Sequence, residues 1–432
     1  MTMAAASSCD PRGFLASLFD TAVRAADPRE GIRRHLPAPP QGGRTVVIGA
    51  GKGVAQMAAA LEALWEGPLS GLVVSRYGYG CPTRTIEVVE AAHPVPDMAG
   101  MQAAARLKQT MADLTEQDLV IALICGGGSS LLPAPPEGFN LRDEILLNER
   151  LLASGAPISA MNAVRKHFST IKGGRLAALT RARVVSLIVS DIPGDNPAFV
   201  ASGPTVPDGT SRHDALDVIT RYRLDLPTSM LDHFKAPVAA APDPTDAAFA
   251  RNEHHVVVSA RVSLEAAAAL ALDSGVTPYI LSDAIEGEAR DAALVHAAIA
   301  RETAARDRPF RKPALLLSGG ETTVTLRAAG GRGGRNGEFA LAMAMAIDGL
   351  NVTGLAADTD GIDGTENNAG AFFDGSSVRR LQSAGLDCGA LLAQHASYKG
   401  FEAIGDLFVT GPTGTNVNDF RAILISDGCH SV

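Results

Sequence analysis

Short apolar runs rich in valine, isoleucine and leucine alternate along this chain with alanine-rich stretches of helical length, and this alternation constrains the fold more than any other feature. The run Asp118–Cys125 ends at a glycine-rich turn and reads as a buried strand. Arg44–Ile48 leads through a second such turn into a helix predicted over Val54–Leu64. Strand, glycine turn and helix in this order are the repeating unit of α/β proteins with a mainly parallel sheet. The sequence therefore predicts the α/β class.

The predicted strands are too numerous for one compact sheet, so we expect two domains. Lys235–Asp246 is rich in proline, lacks an apolar period and marks an exposed connection between two series of strands. The second series begins at His255–Ala260, and the first half also contains a helix predicted over Ser159–Leu179. The predicted domains are residues 1–240 and 241–432.

Charge and cysteine content exclude several kinds of partner and site. With 38 Lys and Arg against 47 Asp and Glu, the chain has a net charge of −9 and no positive field to attract nucleic acid. Its five cysteines are scattered without a C-x-x-C spacing, which indicates neither a disulfide framework nor a zinc site and fits the cytoplasm. The apolar runs are far shorter than the roughly 20 residues of a membrane span, and no signal peptide is expected. An anionic ligand must therefore be held by local donors.

The first glycine-rich turn places a lysine beside a helix start. Backbone N–H groups around Gly51 can hold a phosphate there, with Lys52 next to it. The turn matches a dinucleotide fingerprint only in part, because Val54 stands at the third glycine position. The next strand ends at Ser75 without an acidic residue for the ribose. A tight turn with a solvated lysine is the structural alternative.

The second turn contains Gly126, Gly127 and Gly128, followed by Ser129 and Ser130. Three consecutive glycines let backbone N–H groups converge without side chains in the way. A plain turn needs only one glycine, so this sequence favours a site for a carboxylate or a phosphate.

Two later turns carry charged side chains. Gly320 and Glu321 follow a predicted strand, and Glu321 is either a metal or hydroxyl partner or part of a surface turn. Arg335, with Asn336, lies at the start of a helix predicted over Phe339–Ile347. A cation is unfavourable at a helix start, so an anionic ligand would resolve the conflict. A flexible surface loop is the alternative.

Carboxylates also cluster after predicted strands. Asp358, Asp360 and Asp363 lie within six residues, and such clustering costs repulsion unless a cation offsets it. Mg²⁺ held by one or two carboxylates and phosphate oxygens is the natural interpretation, with Asp191 at another strand end as a further ligand. Turns built by aspartate side chains are the alternative. Asn416 offers a polar group after one more strand.

Two further candidates for substrate contact are His93 and the helical segment Asn162–His167. A lone histidine is more often structural than functional. Whether either of them contacts the substrate therefore stays open.

Eight motifs in one order carry a resemblance to a known family. They are GAGK, CGGGSSLL, NAVRKHFSTIKGGRLA, SDIPGD, SGGETTVTL, GGRGGRN, DTDGIDG and FVTGPTGTNVND. The chain resembles glycerate 2-kinases, which form 2-phosphoglycerate, over roughly Asp10 to Ser426. The resemblance implies two three-layer α/β domains, the first Rossmann-like, with ATP, Mg²⁺ and D-glycerate in an active-site cleft between them. It also implies that Lys52 and Arg335 are catalytic.

The chain departs from the family pattern at two positions. Gly337 stands where the family usually has glutamine, and Asn367 stands where aspartate is common. Relatives of this kind are often labelled hydroxypyruvate reductase, so an NAD(P)H-dependent reductase is the alternative enzyme. A non-catalytic sugar-acid-binding protein is a third class. The sequence does not determine the oligomeric state, and a homodimer is one of the alternatives.

Overall fold

A computed structural model describes residues 10–325, 331–413 and 415–426 of the chain. Its contacts divide the chain into two compact units. The first unit is Pro28–Val257, and the second unit joins the chain from Val258 onward with the segment that precedes Pro28.

The first unit contains a six-stranded sheet. Its strands are β1 (Thr45–Ala50), β2 (Ser70–Arg76), β3 (Ile86–Ala91), β4 (Leu119–Cys125), β5 (Arg183–Val189) and β6 (Glu253–Val258). Their spatial order is β3-β2-β1-β4-β5-β6, and the pairs formed by β1 to β5 are parallel. This is the strand order of Rossmann-type sheets, in which ligands lie beyond the carboxyl ends of the strands beside β1. The predicted α/β class and the parallel first sheet are confirmed.

The second unit contains another six-stranded sheet and a two-stranded pair. The strands are β7 (Thr277–Ser282), β8 (Gly287–Glu288), β9 (Ala314–Gly320), β10 (Thr322–Thr323), β11 (Val352–Asp358), β12 (Gly370–Asp374), β13 (Leu407–Phe408) and β14 (Asp419–Ile425). The order of the large sheet is β13-β12-β11-β14-β9-β7. β14 is antiparallel to both β9 and β11. The expectation of a mainly parallel sheet is therefore wrong for this unit.

Alternate residues of β14 face two apolar cores, as the two-residue period of a strand requires. Phe420 packs with Phe19 in one core, and Ile423 packs with Phe339 and Phe373 in the other. Helices thus cover both faces of the second sheet, which confirms the layered α/β arrangement.

Helices connect the strands in both units. They are α1 (Pro11–Ala25), α2 (Pro28–Arg34), α3 (Val54–Leu64), α4 (Met98–Ala112), α5 (Gly128–Leu131), α6 (Leu141–Ala153), α7 (Ile158–His167), α8 (Arg175–Ala178), α9 (Arg212–Arg221), α10 (Thr228–Lys235), α11 (Ala260–Asp273), α12 (Ala289–Arg306), α13 (Arg335–Ala346), α14 (Ser377–Ser383), α15 (Cys388–Ala393) and α16 (Ser397–Ile404). Within the described ranges, none is long and apolar enough to cross a membrane.

The single helix predicted over Ser159–Leu179 is wrong. The chain forms α7 and α8 instead, separated by a turn that contains Gly173 and Gly174. Both glycines have left-handed backbone angles, with φ of 65° and 81°, which a continuing helix cannot contain. The turn directs Lys172 to Glu144, with Nζ 2.5 Å from Oε1.

The division into units differs from the predicted domains in two places. β6 belongs to the first sheet, although its residues were expected to begin the second series of strands. α1 belongs to the second unit, because its apolar face, including Leu18 and Phe19, is buried against Leu264 and Phe420. The free energy gained by burying these side chains, rather than the position of α1 along the chain, places α1 in the second unit.

Candidate functional site

The turn between β1 and α3 does not offer the open backbone donors that the sequence predicted. Gly51 has a φ of 145°, and a Cβ there would lie 2.2 Å from Cys125 Sγ, so only glycine fits. The N–H groups of Gly51, Lys52 and Gly53 donate, respectively, to Val74 O at 3.1 Å, Gly126 O at 2.8 Å and Cys125 Sγ at 3.3 Å. The prediction that Gly51 itself binds phosphate is thus not supported, since its own donor is already used.

The Lys52 side chain lies beside the second turn. A Cβ placed on Gly127 would be 3.0 Å from both Lys52 Cγ and His93 Nε2, so the three residues are neighbours. In the described part of the chain, no carboxylate lies within ion-pair distance of Lys52 Nζ. Burial, together with Lys52 and Arg76, lowers the pKa of His93 to about 4. His93 is therefore neutral at pH 7, and Lys52 is the cation at this turn.

The turn after β4 keeps its backbone donors open. Gly127 has a φ of 81° and precedes the short helix α5. For the N–H groups of residues 126–130, the structure contains no hydrogen bond to any other described residue. These donors face no competing partner, as an anion site requires. The two turns are linked by the bond from Lys52 N to Gly126 O.

Side chains from three segments line this turn. The Asp191 carboxylate packs on Gly126, where a Cβ would lie 1.8 Å from its Oδ2. Ser129 Oγ lies 3.0 Å from Ser202 Oγ, and Ser202 Oγ donates to Asn162 Oδ1 at 2.9 Å. Asn162 thus connects the helical segment Asn162–His167 to the turn.

The other polar members of that helical segment have internal partners. Lys166 is buried and forms an ion pair with Asp208, and its cation lies 5.0 Å from the centre of the Phe199 ring. Burial lowers the pKa of Lys166 to about 8. His167 is buried, with Nδ1 2.6 Å from Ala163 O. These two side chains hold the helix in place rather than line the turn.

In the second unit, Arg335 is held by two carboxylates. Its Nε donates to Asp419 Oδ1 and its Nη2 to Asp358 Oδ2, both at 2.6 Å. Nη1 lies 3.8 Å from Glu321 Oε1, and Glu321 is 54% exposed. Burial disfavours the cation, but Asp419 and Asp358 outweigh it and hold the pKa of Arg335 above its usual value. The two hydrogen bonds from Nε and Nη2 therefore orient the guanidinium, and Nη1 lies outside them.

Asp419 is the centre of this network, although the sequence analysis did not select it as a site residue. Besides Arg335, it accepts hydrogen bonds from Asn336, Thr322 and Arg421. Burial opposes its ionisation, yet Arg421 and Arg335 hold the pKa of Asp419 below its usual value. Asp419 begins β14, and the antiparallel register sets it opposite Asp358 on β11 and Gly320 on β9.

The start of α13 is satisfied within the protein. Asp363 accepts hydrogen bonds from Asn336 N at 2.9 Å and Gly337 N at 2.8 Å. Burial nevertheless raises the pKa of Asp363 to about 6. Asp363 and Asp419 supply negative charge at this helix start, so the charge conflict does not by itself require an external anion, and an anionic ligand beside Arg335 stays a prediction. Asn336 is fully buried and has a structural position.

Asp358 and Asp360 form a local turn as well as a pair of carboxylates. Asp360 N donates to Asp358 Oδ1 at 3.1 Å, and Ile362 N donates to Asp360 Oδ1 at 2.8 Å. Burial raises the pKa of Asp358 to about 8. Arg335 acts in the opposite direction, but the negative charges of Asp360 and Asp419 offset its attraction. Within residues 10–325, 331–413 and 415–426, no three Asp, Glu, His or Cys side chains converge as metal ligands. Asp191 belongs to the other unit, so the predicted three-carboxylate site stays a prediction.

Two remaining predicted residues have structural contacts. Gly320 has a φ of 116° and packs under Ile285, whose N would be 2.2 Å from a Cβ. Asn416 is exposed, and its Oδ1 accepts a hydrogen bond from Asn418 N. Neither contact tests binding of a ligand.

The two departures from the family pattern have distinct surroundings. A Cβ on Gly337 would lie 2.6 Å from Ser397 Oγ, so a larger residue requires this neighbour to move. Asn367 is exposed and accepts a hydrogen bond from the Tyr398 hydroxyl at 2.9 Å.

Comparison with known proteins decides the family. A domain of unknown function, DUF4147, matches residues 14–235, and the MOFRL family matches residues 314–419. A Thermotoga maritima protein named D-glycerate 2-kinase is 38% identical over 386 residues, which cover 88% of this chain and 91% of that protein. The chain belongs to the glycerate 2-kinase family. This confirms the resemblance that its motifs carry.

Two further similarities agree with this family, although their names differ. The crystal structure of a glycerate kinase from Thermotoga maritima matches with a TM-score of 0.87 and 35% identity, covering 96% of this chain and 99% of that one. An Agrobacterium vitis protein is 50% identical over 418 residues, covering 96% of this family member and 94% of that protein. The latter bears the provisional name hydroxypyruvate reductase. Names within the family therefore disagree, and chemistry must separate them.

Proposed function

We propose that this protein transfers the γ-phosphate of ATP to the 2-hydroxyl of D-glycerate, giving 2-phosphoglycerate and ADP. It is then a phosphotransferase with an alcohol acceptor. The observation that carries the proposal is the extended identity to a D-glycerate 2-kinase, because it covers 88% of this chain. The open donors at residues 126–130 and the cation of Lys52 supply what an acidic substrate and a phosphate require.

Hydroxypyruvate reductase is the alternative, and the turn after β1 argues against it. A dinucleotide needs free N–H groups and a small third residue in that turn. Here the N–H groups of Gly51 and Lys52 are already bonded within the protein, and Val54 is fully buried at the third position. A side-by-side assay separates the activities: we expect ADP from ATP and D-glycerate, and no NADH or NADPH oxidation with hydroxypyruvate. The reverse pattern would establish the reductase.

In the proposed site, the N–H groups of residues 126–130 bind the carboxylate of glycerate. Backbone dipoles neutralise an anion without adding a net charge that would slow product release. Lys52 lies beside Gly127 and stabilises charge on the transferring phosphoryl group. Arg335 is proposed as the second catalytic cation, since Asp358 and Asp419 orient its guanidinium and leave Nη1 outside their two hydrogen bonds.

Gly127→Ala is expected to raise the KM for D-glycerate at least about tenfold and the KM for ATP less than about threefold, a change of about 1.4 kcal/mol in substrate binding. The added Cβ crowds Lys52 and His93 at 3.0 Å. Gly138→Ala is the matched control, because Gly138 has nearly the same φ, 85°, with nothing within 4 Å of its Cβ position. A larger rise in the KM for ATP would assign this turn to the nucleotide instead.

Mg²⁺ is proposed to bind with ATP through Asp358 and Asp360. Mg²⁺ needs only one or two protein carboxylates when phosphates complete its shell, and it neutralises phosphate charge when bound. The donor set fits this ion, since both ligands are carboxylate oxygens, and burial together with the repulsion of Asp360 and Asp419 raises the pKa of Asp358. Asp191 is kept as a further candidate.

Asp360→Asn is expected to weaken the apparent affinity for Mg²⁺ about tenfold while the KM for D-glycerate stays within about twofold, because one ligand charge is lost. A titration of activity with Mg²⁺ at saturating substrates measures this. Asp348→Asn removes a charge from an exposed aspartate of the same unit and serves as the control. Unchanged Mg²⁺ dependence in Asp360→Asn would move the metal to other ligands.

A further inference from the structure

A hydrogen-bond chain runs from Arg165 to Ser129 in the first unit, and its direction can be deduced. Asn162 Nδ2 lies 3.2 Å from the Phe199 carbonyl, and Arg165 Nη1 lies 3.4 Å from Asn162 Oδ1. If the Asn162 amide were reversed, its oxygen would face the Phe199 carbonyl oxygen, and its NH2 group would face the Arg165 guanidinium. Acceptor would then meet acceptor, and donor would meet donor. Arg165 is itself held by Asn148 Oδ1 at 2.8 Å. The amide therefore presents its oxygen to Ser202.

The orientation of Asn162 determines where the proton of Ser129 goes. Ser202 donates its only hydroxyl proton to Asn162 Oδ1 at 2.9 Å. Its contact with Ser129 Oγ at 3.0 Å must then be a bond that Ser129 donates. Ser129 Oγ keeps only lone pairs for a ligand. Because Ser202 and Asn162 are each about 1% exposed, water does not readily replace a member of the chain.

This direction excludes the Ser129 side chain as a donor to a carboxylate or phosphate oxygen. Two facing acceptors repel, and a buried acceptor without a donor costs free energy. The neighbouring Ser130 hydroxyl likewise donates to Gly127 O at 3.2 Å. At this turn, backbone N–H groups are the donors, and Ser129 Oγ is an acceptor. A ligand that uses both must combine an anion with a hydroxyl group.

We infer that Ser129 accepts a hydrogen bond from the 3-hydroxyl of glycerate and selects acids that carry this second hydroxyl, with Ser202 and Asn162 as positioning residues. The inference rests on the proposed function. The reacting 2-hydroxyl must lose its proton, and a neutral serine already bonded to Ser202 cannot take it up. The 3-hydroxyl keeps its proton throughout, so it suits a fixed neutral acceptor.

D-Lactate tests this assignment, because it has the carboxylate and the 2-hydroxyl of D-glycerate but lacks the 3-hydroxyl. We measure the KM for D-glycerate and the inhibition constant of D-lactate in the unaltered protein, Ser129→Ala and Ser202→Ala. Ser129→Ala should raise the KM for D-glycerate about tenfold and leave the D-lactate constant within about twofold, the loss of one hydrogen bond. Ser202→Ala releases the Ser129 proton and should give the same split, with a rise of about threefold in the glycerate KM.

Ser186→Ala is the control for loss of a buried hydroxyl pair, since Ser186 Oγ lies 2.8 Å from Thr205 Oγ1 in the same unit. It should change neither constant. Equal rises for D-glycerate and D-lactate would mean that Ser129 contacts the carboxylate or the 2-hydroxyl, and would overturn the inference. Unchanged constants in Ser129→Ala would overturn it too. If the unaltered protein does not phosphorylate D-glycerate, the proposed function itself fails, and the inference falls with it.

Discussion

Replacing Lys52 by alanine is expected to lower kcat at least about a hundredfold while changing the free energy of unfolding by less than about 0.5 kcal/mol. Phosphoryl transfer depends on positioning and on cations near the transferring group, so a lost cation slows the reaction. The fold loses little, because no ion pair joins Lys52 to a carboxylate in the described ranges. Steady-state kinetics and urea unfolding of one preparation measure both quantities.

Lys235→Ala is the control for this substitution. Lys235 is an exposed lysine of the same unit and forms a surface ion pair with Asp232 at 3.3 Å. Surface pairs of this kind contribute little to stability, so neither kcat nor unfolding should change. A kcat in Lys52→Ala within about threefold of the unaltered protein would remove Lys52 from the mechanism.

Asp419→Asn is expected to destabilise the second unit by about 3 kcal/mol, because it leaves buried cations without their counter-charge. Arg421 is fully buried and Arg335 is largely buried, and both pair with Asp419. The hydrogen bonds from Thr322 would also lose their charged acceptor. Urea unfolding followed by a probe in the second unit gives the change in free energy.

The control for Asp419 is Asp374→Asn, which removes an ion-paired carboxylate at a more exposed position of the same unit. Asp374 pairs with Arg12 at 3.1 Å and with Arg380 at 3.0 Å, and its side chain is 21% exposed. Solvent screens these two ion pairs, so we expect the free energy of unfolding to fall by about 1 kcal/mol or less. Equal losses in the two variants would show that burial does not set the strength of the Asp419 network.

The first sheet was predictable because parallel strands are buried on both faces and read as continuous apolar runs. β1 and β4 are buried along their whole length, and the turns that follow them stood out by their glycines. Lys52 was predictable as a site residue because it lies in the first of these glycine-rich turns. The sequence does not reveal whether an N–H group in such a turn is open, since that depends on contacts such as Lys52 N to Gly126 O.

The second sheet shows where sequence reasoning was insufficient. Polar residues that follow parallel strands meet at one edge of a sheet, and this pattern indicated Asp358 at the end of β11. β14 runs the other way, so its first residue, Asp419, lies at the same edge. The DTDGIDG motif also contained Asp363, but the sequence could not show that its carboxylate occupies the start of α13. Both residues satisfy charges that sequence reasoning assigned to an external ligand.

The position of the phosphate in the product distinguishes a glycerate 2-kinase from the alternatives. The protein is incubated with ATP, Mg²⁺ and D-glycerate, and the products are resolved by ³¹P nuclear magnetic resonance against 2-phosphoglycerate and 3-phosphoglycerate standards. We expect 2-phosphoglycerate and ADP in equal amounts if the proposed function is right. Formation of 3-phosphoglycerate, or no phosphorylated acid while NADH is oxidised by hydroxypyruvate, would contradict it.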